Sequence, residues 1–162
     1  MQRFIGNRML AAMTQLLDEV LRAVARWQIP IIQFNGMLAE GLGMNWTDLQ
    51  ALYVLANQGP ASPGELAKRV NLTSGSASRM IERLVRAGYV RRVPDPYDRR
   101  KVVIEPDEDA VRRVGGLYDS LNERHLADLG SFDETELAAV LRFLKTATAR
   151  TEEEIRSQHG RS

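Results

Sequence analysis

Residues 62–105 constrain the fold of this chain more than any other stretch, because two short helical patterns are followed there by a hairpin pattern. Ser62 and Glu65 form a capping box that opens the first helix. Thr73 is placed to cap the second helix, and Gly88 to end it. The order helix, turn, helix, hairpin is that of a winged helix-turn-helix core.

The hairpin is predicted from two short β-prone runs, at residues 90–92 and 101–104. Between them, Pro94 and Pro96 enclose Asp95. Two prolines so close together cannot lie in a continuous strand, and with aspartate beside them they favour a turn.

The same segment is strongly basic within a nearly neutral chain. It contains ten Lys and Arg against five Asp and Glu, a net charge of +5, whereas the whole chain is +1. The remainder therefore sums to about −4. A local basic surface of this kind is the electrostatic footprint of a protein that binds a polyanion.

Composition places the chain among ordinary globular proteins. It has 162 residues, 44% hydrophobic and 27% charged, enough for one domain with a core. It contains no cysteine, two histidines and no long apolar run, so we expect no disulfide, no metal site, no membrane span and a cytoplasmic location.

Helical patterns also occupy both flanks of the segment. Apolar residues at steps of three and four predict one long N-terminal helix, in which Pro30 should cause a kink or a break near Trp27. Thr47 and Gln50 form a capping box for the next helix. Gly41 should end the first one.

After the hairpin, Asp107 is placed to cap a helix that runs through Leu126, weakened by adjacent glycines at residues 115 and 116. Asp133 and Glu136 form a capping box for the last helix.

These patterns predict a mainly α fold with a small β-hairpin wing, in a single domain of residues 1–162. The winged helix-turn-helix core would span residues 45–106. The helices of residues 1–42 and 107–162 carry more apolar surface than the core needs, which predicts that they form a homodimer.

Over residues 43–106 the sequence resembles the MarR-type (multiple antibiotic resistance regulator) winged-helix transcription factors. The resemblance rests on Trp46-Thr47, on Gly64-Glu65-Leu66-Ala67, on residues 76–88 and on the wing motif Asp95-Pro96-Tyr97-Asp98-Arg99-Arg100. Ser74 stands where the family often has a basic residue. The resemblance implies a transcriptional regulator, neither enzymatic nor dependent on a cofactor.

In a helix-turn-helix protein the second helix lies in the major groove, with its N-terminal residues at the base edges. Arg79 is predicted to read guanine, Arg83 to reach a phosphate, and Ala77 to touch a thymine methyl if it is not buried. The full set predicted on this helix is Thr73, Ser74, Ser76, Ala77, Ser78, Arg79 and Arg83.

The wing would supply the second contact with DNA. Arg99 and Arg100 at a hairpin tip suit a narrow minor groove, and Asp95 or Asp98 would hold one arginine so that the other projects. The resemblance favours Arg100 as the inserted group and Asp98 as the orienting one.

The resemblance also implies a small-molecule effector, often an aromatic or lipophilic compound, bound where the dimer helices meet the core. The alternative is that the same apolar residues are simply core. The residues concerned are Trp27, Ile31, Phe34, Asn35, Leu38 and Tyr53.

The leading hypothesis is a dimeric, sequence-specific regulator of double-stranded DNA at a pseudo-palindromic operator, acting as a repressor that a ligand releases. The alternative is a winged-helix protein-interaction module without DNA binding. An enzyme is disfavoured, because the sequence contains no cysteine, no phosphate-binding glycine loop and no evident catalytic pair.

Overall fold

The computed structural model describes the backbone of residues 2–159 and the side chains of residues 11–158. It divides into two compact units, residues 1–114 and residues 115–162. In chain order the elements are α1 (Gln2–Gly41), α2 (Trp46–Gln58), α3 (Pro63–Arg69), α4 (Ser74–Arg86), β1 (Val90–Pro94), β2 (Val102–Pro106), α5 (Glu108–Gly116), α6 (Asp119–Leu129) and α7 (Glu134–His159).

The predicted fold class is confirmed: helices predominate, and α2, α3 and α4 pack on one another and on a two-stranded wing. Burial of large apolar side chains is the main favourable contribution to such a core. The largest fully buried side chains are Leu49, Leu52, Leu55, Leu66, Met80, Ile81, Leu84 and Ile104.

Two predicted helix caps of the helix-turn-helix segment are confirmed. The Ser62 hydroxyl accepts a hydrogen bond from the Glu65 backbone N–H at 3.2 Å, and Pro63 occupies the first helical position of α3. The Thr73 hydroxyl accepts one from the Ser76 backbone N–H at 3.3 Å. Because each cap satisfies a donor that the helix leaves free, these residues set where α3 and α4 begin.

The predicted start of α2 at Thr47 is wrong. Asn45 is the N-cap residue, and its backbone N–H donates to the Asp48 carboxylate at 3.4 Å. Asparagine is as good a cap as threonine, and an acidic residue three positions later completes the box.

The wing is an antiparallel hairpin whose register pairs Val90 with Pro106 and Arg92 with Ile104. Ile104 also forms an antiparallel β-bridge with Ala61. The Ala61 N–H donates to the Ile104 carbonyl at 3.1 Å, and the Ile104 N–H donates to the Ala61 carbonyl at 2.7 Å. This bridge fastens the base of the wing to the segment between α2 and α3.

The N-terminal helix α1 is continuous through Pro30, so the predicted break near Trp27 is wrong, and a kink there stays a prediction. Proline removes one backbone hydrogen bond. Pro30 and its neighbours from residue 25 to 30 are exposed, so water can bond to the carbonyl group that loses its donor.

The helix predicted to run through Leu126 is divided into α5 and α6, so its predicted continuity is wrong. The break follows the two glycines at residues 115 and 116, which are poor helix formers. The cap at Asp107 is confirmed, since its carboxylate accepts the Ala110 N–H at 2.9 Å. At α7 the box of Asp133 and Glu136 is also confirmed, with both hydrogen bonds formed.

None of the described helices is long and apolar enough to cross a bilayer. Among the side chains of residues 11–158 no three acidic or histidine groups are gathered as a metal site would require.

Candidate nucleic-acid interface

Helix α4 presents one face to the core and the opposite face to solvent. Gly75, Arg79 and Arg86 are separated by four and seven residues, so they lie along one exposed line. The opposite face, which is buried, consists of Ala77, Met80, Ile81 and Leu84. We call this line of Gly75, Arg79 and Arg86 the exposed ridge of α4; it is polar and basic, and a partner can reach it.

Ala77 does not belong to that ridge. Its exposed fraction is 1%, because it packs into the core on the inner side of α4. The condition for a thymine contact is not met, and we remove Ala77 from the set of DNA-contacting residues.

The first turn of α4 contains a short network of hydroxyl groups. Thr73 donates its hydroxyl to that of Ser76 at 3.1 Å, and Arg79 Nη2 donates to the same Ser76 oxygen at 3.3 Å. The Ser78 hydroxyl donates to the Ser74 carbonyl at 2.9 Å. The predicted base-edge residues are thus joined by local contacts, and Arg79 is partly oriented before any ligand binds.

Arg83 lies one turn beyond Arg79 but points to a different partner. Its Nε and Nη2 donate to the two carboxylate oxygens of Asp48 at 3.1 and 2.6 Å. The hydrogen bond to this carboxylate raises the pKa of Arg83 above its ordinary value, so the side chain stays charged at any physiological pH. This ion pair joins α4 to the start of α2.

The tip of the wing is a turn ordered by Asp95. Its carboxylate Oδ1 accepts the backbone N–H groups of Tyr97 and Asp98 at 2.8 and 3.0 Å, and its own N–H donates to the Lys101 carbonyl at 3.0 Å. Asp95 therefore shapes the turn backbone, rather than holding an arginine side chain.

Asp98 holds Arg100, the same arginine that was predicted to project. Asp98 Oδ1 accepts both the backbone N–H and the Nε of Arg100, at 3.2 and 3.3 Å, and Lys101 Nζ lies 3.7 Å from Oδ2. The Arg100 side chain is still 93% exposed, so this contact orients it without covering it.

Ion pairs separate the basic side chains of residues 62–105 into two groups. Arg69 pairs with Glu65 and Arg91 with Glu105, at 2.7 and 3.1 Å, in addition to the pairs described above. Among the described residues, the basic side chains of this segment with no carboxylate partner are Lys68, Arg79, Arg86, Arg92 and Arg99. In these five, no carboxylate of the described residues competes with a polyanion for the cation.

The residues predicted for an effector pocket lie on α1 and α2, two helices that pack on each other. Trp27 and Tyr53 are 51% and 40% exposed. The other members are half-buried: Ile31, Phe34, Asn35 and Leu38. A ligand pocket at these residues stays a prediction.

Helix α1 carries a long exposed apolar surface. Within its described side chains, large apolar groups with 41–69% exposure recur from residue 13 to residue 37. They are Met13, Leu16, Leu17, Val20, Leu21, Trp27, Ile29, Ile32 and Met37. Monomeric proteins rarely leave so extended an apolar surface in water.

The unit of residues 115–162 has an exposed apolar surface of its own. On α6 the large exposed side chains are Leu126 and Leu129, and on α7 they are Leu137, Leu141, Phe143, Leu144 and Ile155. No side chain of α6 is buried, so packing within this unit does not explain why α6 and α7 carry so many large apolar side chains.

The sequence interpretation missed the ion pair that Asp48 forms with Arg83. This aspartate lies within the first turn of α2, next to apolar positions, and only 4% of it is exposed. The available signal was an acidic residue three positions after Asn45, which predicts a cap. Its pairing with Arg83, 35 residues away, had no signal in the sequence.

Comparisons with known proteins agree with this geometry. The sequence model of the MarR family matches residues 42–101. An uncharacterised HTH-type transcriptional regulator of Bacillus subtilis, YcgE, is 36% identical over 124 residues, which cover 76% of this chain and 80% of YcgE. The HTH-type transcriptional repressor NicR of Pseudomonas putida is 30% identical over 58% of this chain and 60% of its own length.

Solved structures show the same fold. A MarR family protein from Bacillus stearothermophilus superposes with a TM-score of 0.64 at 21% sequence identity, covering 86% of this chain and 96% of that protein.

Proposed function

Since the chain belongs to the MarR family of non-enzymatic, DNA-binding transcriptional regulators, we propose that it acts as a homodimer on a pseudo-palindromic operator and represses transcription there. The observation that carries this proposal is that the exposed ridge of α4 and the arginine-bearing wing tip occur together in the helix-turn-helix unit. Both present unpaired cations, and both belong to the same compact unit.

In the proposed complex α4 enters the major groove. Arg79 reads guanine with its two-donor edge, and Ser74, Ser76 and Ser78 allow close approach to bases and phosphates. Thr73 lies at the start of the same turn. Arg86 extends the contact along the exposed ridge toward the phosphate backbone.

The wing contacts the adjacent minor groove. Arg99 has no carboxylate partner among the described residues, and Arg100 is oriented by Asp98 while remaining exposed. A narrow minor groove concentrates negative potential, which favours guanidinium groups at a hairpin tip.

The homodimer is supported by the exposed apolar surfaces of α1, α6 and α7 described above. A two-fold dimer would present two α4 helices to half-sites about one helical turn apart, roughly 34–36 Å. A small apolar or aromatic effector near the pocket residues of α1 and α2 would relieve repression if it favoured another spacing of these helices. A cytoplasmic location is part of the same proposal, because a transcriptional regulator must reach DNA and the Bacillus and Pseudomonas relatives carry their DNA in the cytoplasm.

Selection of a duplex from a random pool, followed by a salt titration of its affinity, tests this function. Arg100→Ala should weaken binding several-fold at fixed salt, because it removes the oriented wing-tip guanidinium. Arg99→Ala removes a cation that has no carboxylate partner among the described residues, and it should lower the salt slope by about 0.9 if Arg99 neutralises one phosphate. Arg150→Ala, an exposed arginine on α7, is the matched control and should leave the slope unchanged.

A wild-type protein that enriches no duplex would instead favour the protein-interaction alternative. Unchanged affinity of Arg100→Ala would remove the wing from the interface.

A further inference from the structure

Asp48 is the one charged side chain among the buried residues that the structure describes. It is 4% exposed within a core that is otherwise apolar. A buried carboxylate is costly unless its oxygens are hydrogen-bonded and its charge is paired. Both requirements are met here: Arg83 binds both oxygens, and the Asn45 N–H also donates to Oδ2. If this position contributed only to the stability of the core, an apolar side chain would serve as well as Asp48.

The pair has a geometry that apolar packing does not provide. A guanidinium that donates from Nε and Nη2 to two oxygens of one carboxylate is held in plane, so distance and rotation are both restricted. Asp48 lies in the first turn of α2, and Arg83 in the last turn of α4. The pair therefore restricts the rotation and the sliding of α4 across α2.

The charge of Arg83 is already neutralised within the chain. Asp48 lies at 2.6 Å, and the raised pKa of the arginine reflects the same contact. Arg79 and Arg86, on the exposed ridge of α4, have no such carboxylate among the described residues. Release of counterions from DNA depends on unneutralised protein charges, so it should depend on these two arginines and not on Arg83.

We propose that Arg83 is a positioning residue for DNA recognition: through its two-point contact with Asp48 it sets the seating of α4 on α2, and it does not bind phosphate. This inference rests on the proposed DNA-binding function, and it adds Asp48 to the residues on which operator recognition depends. It replaces the sequence-based prediction that Arg83 reaches the DNA backbone.

Asp48→Asn separates the two roles of Arg83, because it frees the arginine charge and makes the protein more positive. If Arg83 positions α4, affinity for the selected operator duplex should fall roughly tenfold, as expected for a displaced recognition element, and the ratio of operator to random-duplex affinity should fall with it. If Arg83 binds phosphate, the same variant should bind as tightly as the wild type or tighter.

Glu65→Gln is the matched control. It frees Arg69 from its ion pair in α3 and changes the net charge by the same amount. It should not weaken operator binding. A loss of affinity equal to that of Asp48→Asn would overturn the inference, because charge change alone would then explain both variants.

A double variant, Asp48→Leu with Arg83→Met, guards against a purely structural explanation. Replacing a buried ion pair by apolar groups commonly restores stability, so its melting temperature should return close to that of the wild type. The inference expects operator affinity to stay reduced and the salt slope to remain unchanged. A slope lower by about one, or affinity restored together with stability, would overturn it.

The tests also distinguish this inference from the proposed function. A wild-type protein that binds no DNA overturns both. Wild-type binding that depends on Arg100, with Asp48→Asn as tight as the wild type, overturns the positioning role of Arg83 alone.

Discussion

The exposed ridge of α4 contains a glycine that the chain's own fold does not require. Gly75 has ordinary helical backbone angles, and a Cβ atom added to it would meet nothing within 4 Å. Glycine in a helix costs about 0.5–1 kcal/mol relative to alanine. Because no internal contact explains this cost, the proposed close approach of α4 to DNA gives the residue a reason to be small.

Gly75→Ala should therefore act in opposite directions on stability and on binding. We expect the free energy of unfolding to rise by up to about 1 kcal/mol, since the unfolded chain loses freedom. Operator affinity should fall, because the added methyl group stands between the helix and the groove. Denaturant titration and fluorescence anisotropy measure the two effects.

Gly64 offers a matched control, as it occupies the same second helical position in α3 and also has open space where a Cβ atom would stand. Gly64→Ala should raise stability in the same way and leave DNA binding unchanged. Operator binding by Gly75→Ala as tight as the wild type would show that α4 does not approach the DNA closely at this point.

At the scale of elements, the wing depends on its turn for its shape. The two strands are five residues each, and Asp95 orders the tip by accepting two backbone N–H groups. A hairpin this short has little other means of fixing the direction of Arg99 and Arg100.

Asp95→Ala should loosen the turn while preserving the core. Each lost hydrogen bond contributes about 0.5–1.5 kcal/mol, but the tip is exposed, so we expect a small drop in melting temperature and a clear loss of operator affinity. Asp95→Asn keeps an acceptor oxygen at the same place and should bind almost as the wild type does. Equal losses in both variants would point to the charge of Asp95 instead of its hydrogen bonds.

The helix boundaries show how far local sequence signals reach. Ser62, Thr73 and Asp107 begin their helices as predicted, because a cap acts on N–H groups only two or three residues away. Pro30 does not interrupt α1, although it is the strongest local signal in that helix. Its effect depends on whether neighbouring groups and water can satisfy the freed carbonyl, which local sequence does not specify.

At the scale of the whole molecule, the exposed apolar surface of α1 is the feature that predicts assembly. Leu17 and Leu21 are 57% and 62% exposed and lie one turn apart on the helix. In a two-fold dimer these positions would be buried between copies.

Leu17→Glu combined with Leu21→Glu should convert the dimer to a monomer, because two pairs of carboxylates cannot be buried together without partners. Light scattering coupled to size-exclusion chromatography measures the mass. Operator affinity should fall as well, since one copy contacts only one half-site. Gln28→Glu adds a charge at an exposed polar position of the same helix and is the control. A double variant that remains dimeric would place the interface elsewhere.

The sequence by itself determined the helix-turn-helix and wing order, the caps at Ser62, Thr73, Asp107 and Asp133, the basic segment and the wing motif, because each depends on residues close together in the chain. Only the tertiary structure decided which basic groups remain free for DNA. The sequence predicts DNA contacts for both Arg79 and Arg83, one helical turn apart, yet Asp48, 35 residues before Arg83, pairs with Arg83 and not with Arg79. Likewise Ala77 stands between two serines that are not buried, and packing alone placed it in the core. Long-range pairing and burial are set by how helices meet, which short-range spacing does not encode.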